Sequence, residues 1–176
     1  MKRVVIISSA SGNGKTTVGQ ALAERLDVPF FELDALHHGP NWTEPTPEDF
    51  RRRIEPVVEM DAWVIDGAYR GKLGDLVLEG ADLVVWLDLP LRVWLPRLLR
   101  RTVSRVIRRE ELWNGNRERL RDALHPQNSV VVFALRHYRD RRRRYPSELA
   151  DFPVLRLGTQ EEVDDFLRSA QRKGAK

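Results

Sequence analysis

The sequence predicts one α/β domain, a three-layer fold in which helices cover both faces of a five-stranded parallel sheet. Three observations carry that expectation. Five short runs of β-branched, aromatic and aliphatic residues recur along the chain without the clean alternation of a one-sided strand, as strands buried on both faces should. Segments with helical spacing and capping signals separate them, and strands alternating with helices make a parallel sheet wrapped on both sides. At 176 residues with 41% hydrophobic content, the chain is long enough for a single sizeable core, so residues 1–176 are read as one domain.

The first strand is Arg3 to Ser8 (RVVIIS), and the helix after it shows Val18, Ala21, Leu22 and Leu26 at three- and four-residue spacing. Pro29 to Leu33 (PFFEL) is the second strand. Thr46-Pro47-Glu48-Asp49 then reads as an N-cap, an N1 proline and an acidic first turn. Trp63 to Ile65 and Leu83 to Leu87 (LVVWL) are the third and fourth strands, and Val154 to Leu157 is a weaker fifth. Thr159 and Glu162 form a capping-box pattern ahead of Val163, Phe166 and Leu167.

Between the fourth and fifth strands, about Leu91 to Arg144, two or three helices are expected, broken at Asn114-Gly115-Asn116 and His125-Pro126. Val130 to Phe133 has a composition that could mimic a strand, and Pro96 should kink the first of these helices or mark its true start. The last residues, Gln171 to Lys176, are expected to fray.

The charge is regional. The net charge is +4, yet residues 92–144 hold 16 Arg against 5 Asp or Glu, a local +11 that leaves −7 on the rest. With no cysteine, a disulfide framework, a thiol nucleophile and thiolate metal sites are excluded. The apolar run Val4 to Ile7 is too short for a signal-peptide core and nothing approaches a membrane span, so a cytoplasmic protein is expected.

The strongest chemical signal is Ser9-Ala10-Ser11-Gly12-Asn13-Gly14-Lys15-Thr16, set between the first strand and the first helix. It matches the phosphate-binding P-loop, with Ser9 in place of the first glycine. Small residues let successive backbone N–H groups wrap a polyphosphate, and the helix starting near Gly14 aims its positive end at that charge. Ser11, Gly12, Asn13, Gly14, Lys15, Thr16 and Thr17 are therefore the expected ATP-binding residues. Lys15 would reach the β- and γ-phosphates and the Thr16 hydroxyl would coordinate Mg²⁺. A carboxylate at a neighbouring strand end should share that ion. Asp66 and Asp88 both qualify, and Asp66 is preferred because Gly67 after it allows close approach.

These motifs, with Leu33-Asp34-Ala35-Leu36, Ile65-Asp66-Gly67-Ala68-Tyr69 and Leu87-Asp88-Leu89-Pro90 followed by arginines, resemble the nucleoside-monophosphate-kinase-like P-loop proteins. More closely, the chain looks like the small adenylate-kinase-related proteins often labelled DNA topology modulation proteins. The resemblance implies a three-layer P-loop NTPase fold with an arginine-rich helical lid at about 91–144. It implies that Arg70, in Asp66-Gly67-Ala68-Tyr69-Arg70, holds an anionic acceptor, and that Arg97 and Arg101, one helical turn apart, neutralise the transferring phosphoryl group. Asp34 resembles the acid that orients or deprotonates an acceptor hydroxyl. Two departures argue against AMP: His37 stands where adenylate kinases carry an arginine, and Gly74 stands where they carry the adenine-reading glutamine.

His37 and Tyr69 are the remaining candidates for acceptor contact, with Trp42 as a second pocket wall. His37 and His38 are adjacent and should not face one site on a regular element, which argues against a metal pair. Trp63, Trp86, Trp94 and Trp113 are expected in packing, Arg141–Arg144 at an exposed helix end, and Arg51–Arg53 on solvated helix surface with at most one or two of them facing a pocket. The reading is a Mg-ATP-dependent kinase of a small anionic acceptor, a monomer or homodimer. The alternatives are a nucleic-acid-associated ATP-binding regulator, motivated by the +11 segment, and a nucleotide hydrolase whose acceptor is water.

Overall fold

A computed structural model describes residues 1–108, 110–116 and 130–171. Five parallel strands form the sheet: β1 (Arg3–Ser8), β2 (Phe30–Glu32), β3 (Trp63–Asp66), β4 (Leu83–Leu87) and β5 (Val154–Leu157), in the order β2-β3-β1-β4-β5. The central strand β1 aligns Ile6 with Asp66 of β3 and Ser8 with Leu87 of β4. In the same way β2 aligns Glu32 with Asp66. The carboxyl ends of β1, β2 and β3 therefore open side by side, where open α/β sheets bind ligands.

Because side chains alternate across a strand, β1 feeds two cores. Val5 and Ile7 pack with Leu33, Phe50, Ile54, Trp63 and Ile65 on one face. Val4 and Ile6 pack with Val18, Leu22, Val64, Val85, Leu87 and Val163 on the other. Helix α1 (Lys15–Leu26) and the last helix, α8 (Gln160–Gln171), cover the second face; α2 (Leu33–His37), α3 (Pro47–Val58), α4 (Arg70–Leu73) and α5 (Leu76–Glu79) follow β2 and β3. The capping expectations hold. Thr46 Oγ1 accepts from Asp49 N at 3.1 Å, and Thr159 and Glu162 bond reciprocally, at 3.2 Å and 3.1 Å.

After β4 come α6 (Leu91–Arg108), a 3₁₀ turn at Trp113–Gly115 and α7 (Val130–Glu148). A third cluster, Ala10, Trp94, Leu98, Ala134 and Tyr138, packs α6 and α7 against the loop after β1. One expectation changes here, and two open alternatives close. Helix α6 begins at Leu91, a turn before Pro96, because the Pro90 carbonyl accepts from Val93 N (2.8 Å) and starts the helix; Pro96 then forfeits one internal bond. Val130–Phe133 opens a helix, not a strand. That helix runs on to Glu148, so Arg141–Arg144 lie within it and not at its end. The breaks expected at His125-Pro126 and residues 172–176 lie outside the described residues; Gln171 itself closes α8. No described helix is long and apolar enough to cross a membrane.

Candidate active site

The turn between β1 and α1 has the backbone its sequence requires. Gly12 and Gly14 adopt φ of 88° and 86°, the left-handed region that favours glycine. At Gly12 the reason is also steric, since a Cβ would come within 2.7 Å of the Trp94 carbonyl. Asn13 is buried and locks the loop from inside: its Nδ2 donates to Ala10 O (2.9 Å) and its Oδ1 accepts from Leu89 N (3.0 Å). Ser9 takes the first-glycine position without positive φ, and its hydroxyl has a task. Fully buried, it donates to Asp88 Oδ1 at 2.7 Å and accepts from Trp86 Nε1 at 2.9 Å.

The two candidate carboxylates now part. Lys15 Nζ lies 2.6 Å from Asp66 Oδ1, and the Thr16 hydroxyl donates to Asp66 Oδ2 at 2.7 Å. Asp88, by contrast, is enclosed by Ser9, by Arg142 (Nε 3.0 Å from Oδ1) and by Arg156, whose guanidinium stacks over Trp86 at 4.6 Å. Asp88 ties the loop to α7 and β5.

Glu32, which the sequence reading passed over, joins the Asp66 end. Its Oε1 lies 3.3 Å from the Thr16 hydroxyl, whose one hydrogen is shared with the nearer Asp66, and its Oε2 accepts from Trp113 Nε1 at 3.0 Å. The available signal was positional: Glu32 ends β2 in register with Asp66. Trp113, expected in packing, thus also reaches the Asp66 end through its indole N–H. Its turn docks on the segment after α2, with Asn116 Nδ2 donating to Gly39 O (2.9 Å) and Asn116 Oδ1 accepting from Trp42 N (2.9 Å).

A cavity of about 980 Å³ runs along the P-loop and is bounded by Arg97, Arg101, Arg105, Trp42, Trp113 and Gln160. Arg97 donates to Gln160 Oε1 at 3.0 Å, joining α6 to the start of α8. A second cavity of about 600 Å³ is bounded by Gly67, Tyr69, Arg70, Lys72, Arg141 and Tyr145. The two share Ser8, Ser11, Lys15, Asp34 and His38.

In the second cavity the Tyr69 hydroxyl donates to Asp34 Oδ1 at 2.5 Å. Burial, then the Asp34 charge, pushes the Tyr69 pKa well above its ordinary value, so the phenol stays a donor. Arg70 reaches the cavity wall, but Asp75 (2.5 Å) and Glu148 (3.3 Å) already hold it. His37 is buried behind the wall, between the rings of Phe50 and Tyr69, and its pKa is lowered by burial and then by Lys72. His38, and not His37, faces both cavities. Arg141, expected on solvated surface, faces the second.

The family model for shikimate kinase matches residues 11–56, about a quarter of the chain. A gluconokinase from Sinorhizobium meliloti 1021 is similar in structure, with a TM-score of 0.57 and 21% identity over 97% of this chain and 90% of that one. A shikimate kinase from Bacteroides thetaiotaomicron gives 0.58 and 17% over 98% and 97%. A deoxyadenosine kinase from M. mycoides with bound dCTP gives 0.54 and 12% over 96% and 98%. The fold is that of the P-loop kinases. No curated protein matches the chain. The matched segment holds Ser11 to Thr17, Glu32, Asp34 and His38, which line the larger cavity; Ser11, Lys15, Asp34 and His38 also line the smaller. None of these findings supports a link to DNA topology.

Proposed function

We propose that the chain is a Mg-ATP-dependent kinase that phosphorylates a hydroxyl of a small anionic acceptor. The observation that carries this reading is the junction of the two cavities, a phosphate-binding one and a smaller one, which share Lys15 and Asp34. ATP occupies the larger, with its phosphates on the backbone of Ser11 to Thr17. The acceptor occupies the smaller, with its hydroxyl at Asp34. The acceptor oxygen bonds to the γ-phosphorus as the bond to the β–γ bridging oxygen breaks, ADP leaves, and the hydroxyl proton passes to the Asp34 carboxylate.

The residues at the sheet edge fit the expected cation. Thr16, Asp66 and Glu32 offer the hard oxygen donors that Mg²⁺ takes, and Asp66 Oδ1 is buried with no hydrogen bond, only its ion pair to Lys15. The ion supplies charge neutralisation on the phosphates. Lys15, drawn from Asp66 to the phosphates, adds to it, as do Arg97 and Arg101 from α6. Tyr69 fixes one Asp34 oxygen through its hydroxyl hydrogen and so orients the base.

The arginine excess supports this reading over a nucleic-acid surface. Arg97, Arg101 and Arg105 face the larger cavity, Arg141 faces the smaller, and Arg142 is drawn inward to Asp88. Arg141, on the wall of the smaller cavity, favours an acceptor carrying a carboxylate or phosphate. The test is ATP consumption by the purified protein with shikimate, gluconate, deoxyadenosine, AMP and other hydroxyl metabolites, each with Lys15→Ala as control. Acceptor-dependent turnover lost in the variant supports a kinase; ATP loss indifferent to every acceptor makes the protein a hydrolase.

A further inference from the structure

Side chains adjacent on a continuous helix or strand point apart, yet the His37 and His38 rings meet edge to face with centroids 4.7 Å apart. The chain breaks between them. His37 is the last residue of α2, and His38 caps it in an extended conformation (φ −89°, ψ 106°). Glu44, on the segment leading into α3, brings a carboxylate oxygen to 3.7 Å from His37 Nε2. One ligand atom from each of His37, His38 and Glu44 lies within 4.8 Å of the others.

The imidazoles here leave their hydrogen-bonding capacity unused. His37 is 3% exposed and neither ring nitrogen has a hydrogen-bond partner; nor has the buried His38 Nδ1. Each such atom costs about 1–3 kcal/mol, so three together need a physical reason. The rings are also held in place: His37 lies against Phe50 and Tyr69 (centroids 5.0 and 4.6 Å), and His38 against Trp42 and Trp113 (5.3 and 5.6 Å). Two fixed imidazoles and a movable carboxylate are a metal-ligand set.

We propose that His37, His38 and Glu44 bind a divalent transition-metal ion of the zinc type, with water completing the tetrahedron. Two nitrogens and one carboxylate oxygen suit zinc, whereas Mg²⁺ prefers the all-oxygen set at Thr16, Asp66 and Glu32. Bonds of about 2.0–2.1 Å require the ligand atoms to close to roughly 3.3 Å apart, a move that takes the exposed Glu44 side chain off Lys72 together with a small rotation of the imidazoles. Lys72 Nζ, 2.8 Å from Glu44 Oε2, is the cation the metal competes with. His38 also borders both cavities, so metal binding is tested without nucleotide.

The experiment is titration of the chelator-treated full chain with Co²⁺, read by visible absorption, and with Zn²⁺, read by calorimetry. One Co²⁺ per chain should give the intense bands of a tetrahedral nitrogen-containing site, displaced by Zn²⁺ and not by Mg²⁺. His38→Gln, at a half-buried position, and Glu44→Gln, at an exposed one, should each weaken binding at least tenfold, since losing even an outer-shell partner costs about 10–100-fold. Lys72→Met should tighten it by removing the competitor, and Asp66→Asn should leave it unchanged. Absence of a tetrahedral spectrum, or uptake that survives both His38→Gln and Glu44→Gln in a folded chain, overturns the proposal.

Discussion

The Ser9 hydroxyl donates to the Asp88 carboxylate at 2.7 Å, inside the core, at the P-loop position where a glycine usually stands. Nothing about the Ser9 backbone calls for glycine, and the hydroxyl also satisfies the buried Trp86 indole N–H. Ser9→Gly, which restores the common motif, is therefore expected to weaken the protein. Leaving the buried indole N–H unpaired costs about 1–3 kcal/mol. Urea unfolding should show a lower midpoint for Ser9→Gly and Ser9→Ala alike; an unchanged midpoint in both would show that the hydroxyl contributes nothing.

Asp66 and Asp88 occupy equivalent places at the ends of β3 and β4 but answer to different partners, so their variants should fail differently. Asp88→Ala strands the charges of Arg142 and Arg156. Because those side chains are 42% and 49% exposed, the expected loss is about 2–3 kcal/mol, below the about 3–5 kcal/mol of a fully buried pair. Asp66→Asn should leave the unfolding midpoint near wild type and instead raise the Mg²⁺ concentration for half-maximal turnover, about tenfold or more. Equal stability losses in the two would contradict the division of labour.

The fold and the phosphate loop were legible because their signals are local. The five apolar runs, the Thr46 and Thr159 caps and the Gly-x-Gly-Lys-Thr spacing each depend on neighbours in sequence. Glu32, Trp113 and Arg141 were not legible, since their roles depend on contacts across 81 residues, as from Trp113 to Glu32, or on which side of α7 meets a cavity. The pairing of His37 with His38 was misread for a third reason. Adjacent residues diverge only on a continuous element, and the end of α2 falls between them.

Gly12 is the loop position least able to change. Alanine there must hold φ near 88° and place its Cβ 2.7 Å from the Trp94 carbonyl, which belongs to α6 backbone and cannot swing aside. The left-handed conformation alone costs about 1–2 kcal/mol. Gly12→Ala should displace α6 from the loop and weaken binding of a non-hydrolysable ATP analogue at least tenfold by calorimetry. Gly14→Ala meets no atom within 4 Å and carries only the conformational cost, so its affinity should fall less.

Asp82 supplies an acid-sensitive fastening at the start of the sheet. Its carboxylate accepts from the backbone N–H groups of Lys2 (2.7 Å) and Arg3 (3.0 Å), which hold its pKa down to about 2. A folded-state pKa below the unfolded value of about 3.9 means stability present above pH 4 and lost as the pH falls toward 2. Wild type should therefore exceed Asp82→Asn in stability at pH 7, and the gap should close between about pH 4 and pH 2. A gap constant across that interval would assign the effect to something other than the carboxylate charge.

Arg97 and Arg101 share a face of α6 over the larger cavity, and Arg97 donates to Gln160 Oε1 at 3.0 Å. If both neutralise the transferring phosphoryl group, alanine at either position should lower kcat. Arg101→Ala removes transition-state charge, for which the worth of an arginine is about 10³–10⁵ in rate, so kcat should collapse. Arg97→Ala also releases α6 from α8, which should raise the KM for ATP as well as lower kcat. Single-turnover measurements with the acceptor found by screening separate the two effects, and Arg101→Ala turning over at the wild-type rate would remove Arg101 from the chemistry.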